Sequence, residues 1–253
     1  MKNPFRKTLV PVLDLVLPRV CIVCGRRLLT FEKHICTCCL ADLPLTFNWI
    51  LPHNPMADRF NELIQESLCR PLQDGVTPSG HVAYSHAAAL FFFNSEADYR
   101  KIPYSIKYRG DLASGLFFGA MLGKRMAEAS ALQDIDLIMP VPLYWSRKWK
   151  RGYNQAEVIA RGIAEAVHGP VCTDILYRKH RTATQTRLDV NEKLRNVDNA
   201  FGLRKPLPPK TGHILLVDDV FTTGATLHAC YRTLMATGKD IRISIATLAM
   251  VSN

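Results

Sequence analysis

Residues 214–226 constrain the fold of this chain more than any other segment, because strand, acid and turn signals follow one another in a fixed order. The segment reads Ile-Leu-Leu-Val-Asp-Asp-Val-Phe-Thr-Thr-Gly-Ala-Thr. Its apolar start predicts a buried strand ending at the acid pair Asp218 and Asp219, and a helix is expected over 225–237. In open α/β sheets, ligands bind beyond the carboxyl ends of the strands. The segment therefore predicts a ligand site in a fold of alternating strands and helices.

The turn after the acid pair suits a phosphate group. Backbone N–H groups in a glycine-containing turn at a helix N-terminus favour an anion, and threonine hydroxyls add donors. The predicted phosphate-binding residues are Thr222, Thr223, Gly224, Ala225 and Thr226. The two carboxylates can accept hydrogen bonds from vicinal sugar hydroxyls. Each feature alone is common in solvated loops, so the prediction of a ribose 5-phosphate site depends on the ordered set.

This ordered set resembles the phosphoribosyl pyrophosphate (PRPP) loop of type I phosphoribosyltransferases. Other phosphate loops fit less well. The sequence contains no Gly-x-x-x-x-Gly-Lys-Ser/Thr motif for a nucleoside triphosphate and no Gly-x-Gly-x-x-Gly motif for a dinucleotide.

Charge favours anionic partners. The chain has 253 residues, of which 48% are hydrophobic and 21% charged, with a formal net charge of +10. Phosphorylated metabolites, nucleic acid and an anionic membrane surface all match that charge. No apolar run approaches the roughly 18 residues of a membrane span, so a cytoplasmic location is expected. Near the N-terminus, Leu9, Leu13, Val16 and Leu17 fit one face of a short helix, which either packs on the protein body or contacts a membrane surface.

Five of the eight cysteines lie within residues 21–39, in two Cys-x2-Cys knuckles. Two such knuckles present four thiolates in the tetrahedral arrangement that Zn²⁺ prefers. The predicted ligands are Cys21, Cys24, Cys36 and Cys39. Cys38 and His34 are alternative ligands by position. Because protein would fill all four positions, we expect a structural zinc on which a small ribbon depends for folding.

The chain is predicted to have three parts: an N-terminal helix and zinc ribbon over 1–45, a linker with a helix over 46–83, and a main domain over 84–253. In the main domain, strands alternate with helices, which indicates a parallel sheet. The predicted strands cover 86–93, 136–143, 171–177, 213–217 and 241–251, and the predicted helices cover 98–108, 112–131, 153–168 and 225–237, with the linker helix at 56–69.

Two basic segments follow predicted strands. The first contains Arg147, Lys148, Arg151 and Gln155, which are predicted to bind PRPP, since several cations are needed to neutralise a pyrophosphate. The alternative is a solvated basic face. The second begins at residues 178–187 and extends for about 20 residues, a length typical of a functional lid or a mobile loop.

Several strings together resemble the ComF family of competence-associated proteins, which join a zinc ribbon to a type I phosphoribosyltransferase domain. These strings are the cysteine pairs at 21–39, Ile106-Lys-Tyr-Arg-Gly110, Val141-Pro-Leu143, Arg151-Gly-Tyr-Asn-Gln155, Arg181-Thr-Ala-Thr-Gln185, Arg195-Asn196 with Ala200-Phe201, and 218–226. Tyr153 stands where phenylalanine is more usual. The resemblance implies the type I phosphoribosyltransferase fold, a PRPP site, and a role in natural transformation with imported single-stranded DNA and other competence proteins.

Two hypotheses about function remain. In the first, the chain is an enzyme that binds Mg-PRPP, with Mg²⁺ held largely by ligand oxygens and water; the predicted catalytic residues are Asp218, Asp219, Arg151 and Arg181. In the second, the fold is a binding module for PRPP or for single-stranded DNA, whose bases would stack on Trp145 and Trp149 among the cations. Core packing is the alternative for the two tryptophans. No motif identifies an acceptor substrate.

Overall fold

The computed structural model describes residues 18–69, 83–179 and 200–251. The helices are α1 Thr37–Ala41, α2 Pro55–Cys69, α3 Lys101–Tyr108, α4 Leu112–Ala127, α5 Trp145–Arg151, α6 Gln155–Val167 and α7 Ala225–Met235. The strands are β1 Ala87–Phe93, β2 Leu137–Pro140, β3 Leu176–Arg178, β4 Phe201–Leu203, β5 His213–Phe221 and β6 Arg242–Val251. The predicted helix at the N-terminus lies outside the described residues.

Four parallel strands form the main sheet, in the order β1-β6-β5-β2. The central strands β5 and β6 are buried on both faces for most of their length, which explains their nearly continuous apolar sequence. Leu216 lies between Ile245 and Met139 in the register. The predicted α/β fold class, with a parallel sheet flanked by helices and an N-terminal cysteine cluster, is confirmed.

Helices cover both faces of this sheet. On one face, α4 and α6 pack so closely that a Cβ on Gly119 would lie 2.4 Å from the carbonyl oxygen of Ile159. On the other face, Phe60 of α2 packs edge-on against Tyr231 of α7, with ring centroids 5.8 Å apart. The predicted linker helix is therefore part of the second helical layer.

Strand β5 extends beyond its predicted end. The sequence predicts a strand over 213–217, but pairing with β6 continues through Asp218 and Val220 to Phe221. The acid pair therefore lies inside the strand, because the neighbouring backbone of β6 still offers hydrogen-bond partners there. This is a correction to the predicted boundary.

The predicted strand over 171–177 is also shorter in the structure. Val171 makes one parallel bridge to Ile138 beside β2. Strand β3 then begins at Leu176 and pairs antiparallel with β4, away from the main sheet. Similarly, β2 is shorter than predicted, since Pro142 after it has no N–H to donate to a ladder.

The cysteine-rich segment packs directly on the main body. Val23 belongs to the same buried cluster as Ile102 of α3 and Phe118 of α4. The ammonium of Lys101 donates to the Val23 carbonyl at 2.7 Å. Within 18–69, 83–179 and 200–251, none of the helices combines the length and apolar character needed to cross a membrane.

Candidate functional site

The two acidic residues at the carboxyl end of β5 face different sides of the sheet, as successive strand residues do. The charge of Asp218 acts on Cys230 of α7 and on Arg178 of β3. Asp219 instead contacts Lys107 of α3. The predicted acid pair thus presents one carboxylate to each helical layer.

Asp218 holds its proton unusually tightly. Burial and the charge of Asp219 raise the pKa of its carboxyl group, the N–H of Asp219 and the ammonium of Lys107 lower it, and the net result is a pKa of about 7. That N–H donates to Asp218 Oδ1 at 2.8 Å. Asp218 can therefore change its charge near neutral pH.

Asp219 is 6% exposed and has a cation of its own. Its Oδ1 accepts the Val220 N–H at 3.0 Å, and its Oδ2 lies 3.1 Å from Nζ of Lys107. Burial lowers the pKa of Lys107, but the charge and hydrogen bond of Asp219 outweigh burial and raise it overall. In the sequence, Lys107 stands out only as a member of the string Ile106-Lys-Tyr-Arg-Gly110. The positive charge of Lys107 in that string was the sequence feature that could have identified it as a partner of the acid pair.

The predicted phosphate turn forms the N-terminal end of α7. Gly224 is the N-cap, with φ of +78° and no side-chain cap, and its carbonyl accepts the N–H of His228 at 2.9 Å. The first N–H groups of an α-helix have no acceptor within the helix, so this turn can bind an anion. A Cβ on Gly224 would lie 3.0 Å from atoms of Leu63 and Phe221. Leu63 of α2 therefore packs against the turn.

Neighbouring β2 brings the first basic segment to the same edge. The Val141 N–H donates to the Val217 carbonyl at 2.8 Å, so the chain leaves β2 beside the acid pair. Burial lowers the pKa of Arg178, the nearby charge of Arg147 lowers it further, and Asp218 opposes both. Arg147, Arg178 and Asp218 therefore share one electrostatic environment.

Arg178 and Lys148 also line a cavity of about 310 Å³ together with Tyr144 and Glu157. From the sequence, Arg178 is predicted only to begin a basic loop. In the structure it is a β3 residue whose guanidinium carbon lies 5.2 Å from the ring centroid of Phe201. Only the antiparallel pairing of β3 with β4 brings it to the acid pair.

The Arg-Gly-Tyr-Asn-Gln string ties three elements together. Arg151 donates to the side-chain oxygen of buried Gln155, and its guanidinium lies 5.6 Å from the ring centroid of Tyr108 in α3. The Tyr153 hydroxyl donates to the Ile106 carbonyl. Arg151 and Gln155 thus lie toward α3, whereas Arg147 lies toward Arg178.

Asn154, in the same string, makes two hydrogen bonds through its side chain. Its Oδ1 caps α6 by accepting the Ala156 N–H at 3.2 Å, and its Nδ2 donates to the Val141 carbonyl at 3.0 Å. The loop after β2 is therefore fixed to the start of α6. The remaining predicted cation, Arg181, lies outside the described residues.

The four predicted zinc ligands come together. Their sulfur atoms all lie within 4.8 Å of one another. A tetrahedral zinc with Zn–S bonds of about 2.3 Å separates its sulfurs by about 3.8 Å, and the Sγ atoms of Cys24 and Cys36 are 3.8 Å apart. The Cys36 N–H donates to Cys21 Sγ at 3.4 Å. Backbone N–H groups lower the pKa of the Cys21 thiol to about 7 despite its burial, whereas burial and the neighbouring cysteines raise the pKa of the Cys39 thiol.

The two alternative ligands have other partners. The sulfur of Cys38 is exposed and accepts from the guanidinium of Arg26 at 3.6 Å. Nδ1 of His34 lies 3.0 Å from the hydroxyl oxygen of Ser114 in α4. Neither belongs to the four-cysteine cluster, which fits a structural zinc.

The tryptophans of α5 are not core residues. Trp145 is 67% exposed and Trp149 is 87% exposed, so the core-packing interpretation was wrong. Lys148 and Lys150 lie on the same short helix. The result is an aromatic and basic surface, which we call the α5 surface and define by Trp145, Lys148, Trp149 and Lys150.

Curated relatives cover part of this chain, although no family model matches it. "DNA utilization protein YhgH" of Escherichia coli K12 is 34% identical over 131 residues, which are 51% of this chain and 57% of that protein. "Competence protein F" of Haemophilus influenzae is 37% identical over 108 residues, 42% of this chain and 46% of that protein. "Competence protein ComFC" of Bacillus subtilis is 32% identical over 114 residues, 44% of this chain and 43% of that protein. The chain spans about half the length of these relatives.

Solved structures similar to the chain include two phosphoribosyltransferases. A hypoxanthine phosphoribosyltransferase from Staphylococcus aureus has a TM-score of 0.33 at 14% identity, covering 55% of this chain and 64% of that one. An orotate phosphoribosyltransferase from Aeropyrum pernix has a TM-score of 0.32 at 15% identity, covering 76% and 80%. Because these TM-scores are low, the α/β fold is assigned from the sheet order and helix layers of this chain alone. Over about half of its length, the chain is thus similar to curated proteins named for competence and for DNA utilization.

Proposed function

We propose that this chain binds Mg-PRPP at the carboxyl edge of its parallel sheet, and that it serves in the use of imported DNA. One observation carries the proposal: Asp218 and Asp219 lie near the carboxyl end of the central strand β5, which is followed by the turn that begins α7. This order places sugar-hydroxyl acceptors beside a phosphate-binding helix N-terminus.

Each part of PRPP has a counterpart among the site residues. The ribose hydroxyls are assigned to Asp218 and Asp219, and the 5-phosphate to residues 222–226. The pyrophosphate is assigned to cations of the neighbouring segments. These are Arg147, Lys148, Arg151 and Arg178, together with the predicted Arg181. Planar guanidinium groups suit phosphate oxygens because they donate two parallel hydrogen bonds.

The proposed chemistry is positioning and charge stabilisation. As the bond from ribose C1 to the pyrophosphate oxygen breaks, positive charge develops on the ribose ring and negative charge on the leaving group. The carboxylates of Asp218 and Asp219 stabilise the former, and Arg147 and Arg178 stabilise the latter. Mg²⁺, carried in with the ligand, would supply further charge neutralisation.

A PRPP titration in the presence of Mg²⁺ tests the site. Hydrogen bonds to charged groups contribute about 1.5–3 kcal/mol, so Asp218→Asn with Asp219→Asn should weaken binding at least about tenfold. Glu128→Gln removes a carboxylate after α4, where it pairs with Arg125, and should leave the affinity unchanged. Equal affinity in all three proteins would exclude the assigned site.

Turnover is a separate question, answered by measuring pyrophosphate release with a panel of nucleobases and amines. Release that requires both PRPP and one acceptor would establish a transferase. Tight PRPP binding without release for any acceptor would assign the site to sensing.

The α5 surface supports a second candidate function, binding of single-stranded DNA. Exposed Trp149 offers a ring on which a base can stack, and stacking contributes about 1–3 kcal/mol per base. Lys148 and Lys150 on the same helix can contact phosphates.

Oligonucleotide binding at several salt concentrations tests this second function. Trp149→Ala should weaken binding about tenfold, and replacing Lys148 and Lys150 with Ala should reduce the salt slope by about 1.4. Replacing Lys124 and Arg125 of α4 with Ala removes the same charge elsewhere. If that control weakens binding equally, net charge rather than the α5 surface is responsible.

A further inference from the structure

The ion pair between Lys107 and Asp219 occupies the place where a divalent cation would bind Asp219. Lys107 lies in the last turn of α3, and its side chain is 34% exposed, against 9% for Asp219. Its Nζ lies 3.1 Å from Oδ2 of Asp219. The ammonium group of Lys107 is therefore part of the site.

The carboxylate oxygens have few positions left for a metal. Oδ1 of Asp218 accepts the Asp219 N–H, and Oδ1 of Asp219 accepts the Val220 N–H. Because the two carboxylates face different sides of the sheet, a metal on the α3 side would bind Asp219 at Oδ2, which Lys107 already contacts. Mg²⁺ binds oxygens at about 2.1 Å, and two cations on one largely buried oxygen repel each other more strongly than in bulk water. The ammonium and a divalent cation thus exclude each other.

We propose that Lys107 is the resident counterion of Asp219 and keeps a divalent cation from binding directly to that carboxylate, so that it stays available to sugar hydroxyls. This inference rests on the proposed function and adds a specificity residue to it. Lys107 neutralises Asp219 without blocking Asp218, which faces the opposite side of the sheet toward Arg178. Divalent metal then enters only with the pyrophosphate of the ligand.

Binding of Mn²⁺ alone, measured by electron paramagnetic resonance on the full zinc-loaded chain, tests this inference. Wild-type protein and Lys107→Arg should show no Mn²⁺ site at the acid pair. Lys107→Met keeps the length of the side chain but removes its charge. This variant should bind Mn²⁺ at the acid pair at least about tenfold more tightly than wild type does. That site should vanish when Asp218→Asn and Asp219→Asn are added. Lys124→Met removes one positive charge from α4 and should behave as wild type.

Equal Mn²⁺ binding by wild type and Lys107→Met would overturn the inference, as would a new site that survives loss of both carboxylates. A measurement on the unaltered chain guards against a variant that fails to fold. The Lys107 ammonium resonance, identified by its loss in Lys107→Arg, should not move with millimolar Mg²⁺ alone. A shift with Mg²⁺ alone would equally overturn the inference.

PRPP titrations on the same proteins separate the two proposals. If wild type binds no PRPP, the proposed function fails while the Mn²⁺ result still decides the role of Lys107. If wild type binds PRPP and Lys107→Met gains no metal site, only the role of Lys107 fails.

Discussion

Nζ of Lys107 lies 3.1 Å from Oδ2 of Asp219, and this ion pair joins the end of α3 to the carboxyl end of β5. The two residues are distant in sequence, yet their contact places a cation beside one carboxylate of the candidate ribose site. It also holds α3 over the edge of the sheet where the ligand is proposed to bind. The stability and the pH response of the protein should both reflect this arrangement.

Removing the lysine should destabilise the fold. Lys107→Met leaves the 6% exposed Asp219 without its cation, and an uncompensated charge at a site open on one side should cost about 2 kcal/mol. Urea denaturation of the zinc-loaded chain measures this loss. Lys107→Met combined with Asp219→Asn removes both charges and should recover most of it. A double variant as unstable as the single one would show that lost packing, not charge, is responsible.

Asp218 should make stability depend on pH. Its pKa is raised to about 7 in the folded chain, against about 3.9 in an unfolded one, so the folded state binds this proton more tightly. The resulting stability is complete below about pH 4 and is lost as pH rises toward about 7. The free energy of unfolding of wild type minus that of Asp218→Asn should therefore fall over this range. A difference that stays constant with pH would contradict the raised pKa.

The phosphate turn should not tolerate a side chain at Gly224. A left-handed backbone costs a non-glycine residue about 1 kcal/mol, and a Cβ here would also press on Leu63 and Phe221 at 3.0 Å. We expect Gly224→Ala to lose about 3 kcal/mol of stability and to weaken PRPP binding, as measured by thermal unfolding and calorimetric titration.

Gly238 provides the matched control for Gly224. It has φ of +68°, and a Cβ there would meet no atom within 4 Å. Gly238→Ala should show only the backbone penalty of about 1 kcal/mol. If both variants lose the same stability, the close packing of Gly224 against α2 has no energetic consequence.

Zinc content should distinguish Cys36, a predicted ligand in the second knuckle, from Cys38, which lies between the two ligands of that knuckle. Cys36→Ser removes a sulfur from the four-cysteine cluster, whereas Cys38→Ser removes one that only accepts from Arg26. Elemental analysis should find about one zinc per chain in wild type and Cys38→Ser, and much less in Cys36→Ser. Because Val23 packs in the main core cluster, metal loss should also lower the unfolding temperature. Equal zinc in both variants would refute the ligand set.

Local patterns were enough to predict most elements of the fold. The linker helix was predicted at 56–69 and is found at Pro55–Cys69, and the last strand was predicted at 241–251 and is found at Arg242–Val251. These predictions succeed because apolar periodicity and proline positions act over a few residues. The end of β5 was predicted wrongly, because a paired neighbouring strand keeps Asp218 and Asp219 in extended conformation. Pairing of that kind leaves no signal in the acidic residues themselves.

The sequence by itself determined the parallel α/β fold class, the four cysteines and the order of strand, acid pair and turn, since each depends on spacing along one short segment. Only the tertiary structure decided what surrounds those residues. It brings Lys107 of α3 to Asp219 and Arg178 of β3 to Asp218, and it leaves Trp149 exposed. These contacts join residues far apart in the chain, and they follow from the order in which strands pair and helices cover the sheet, which no local pattern encodes.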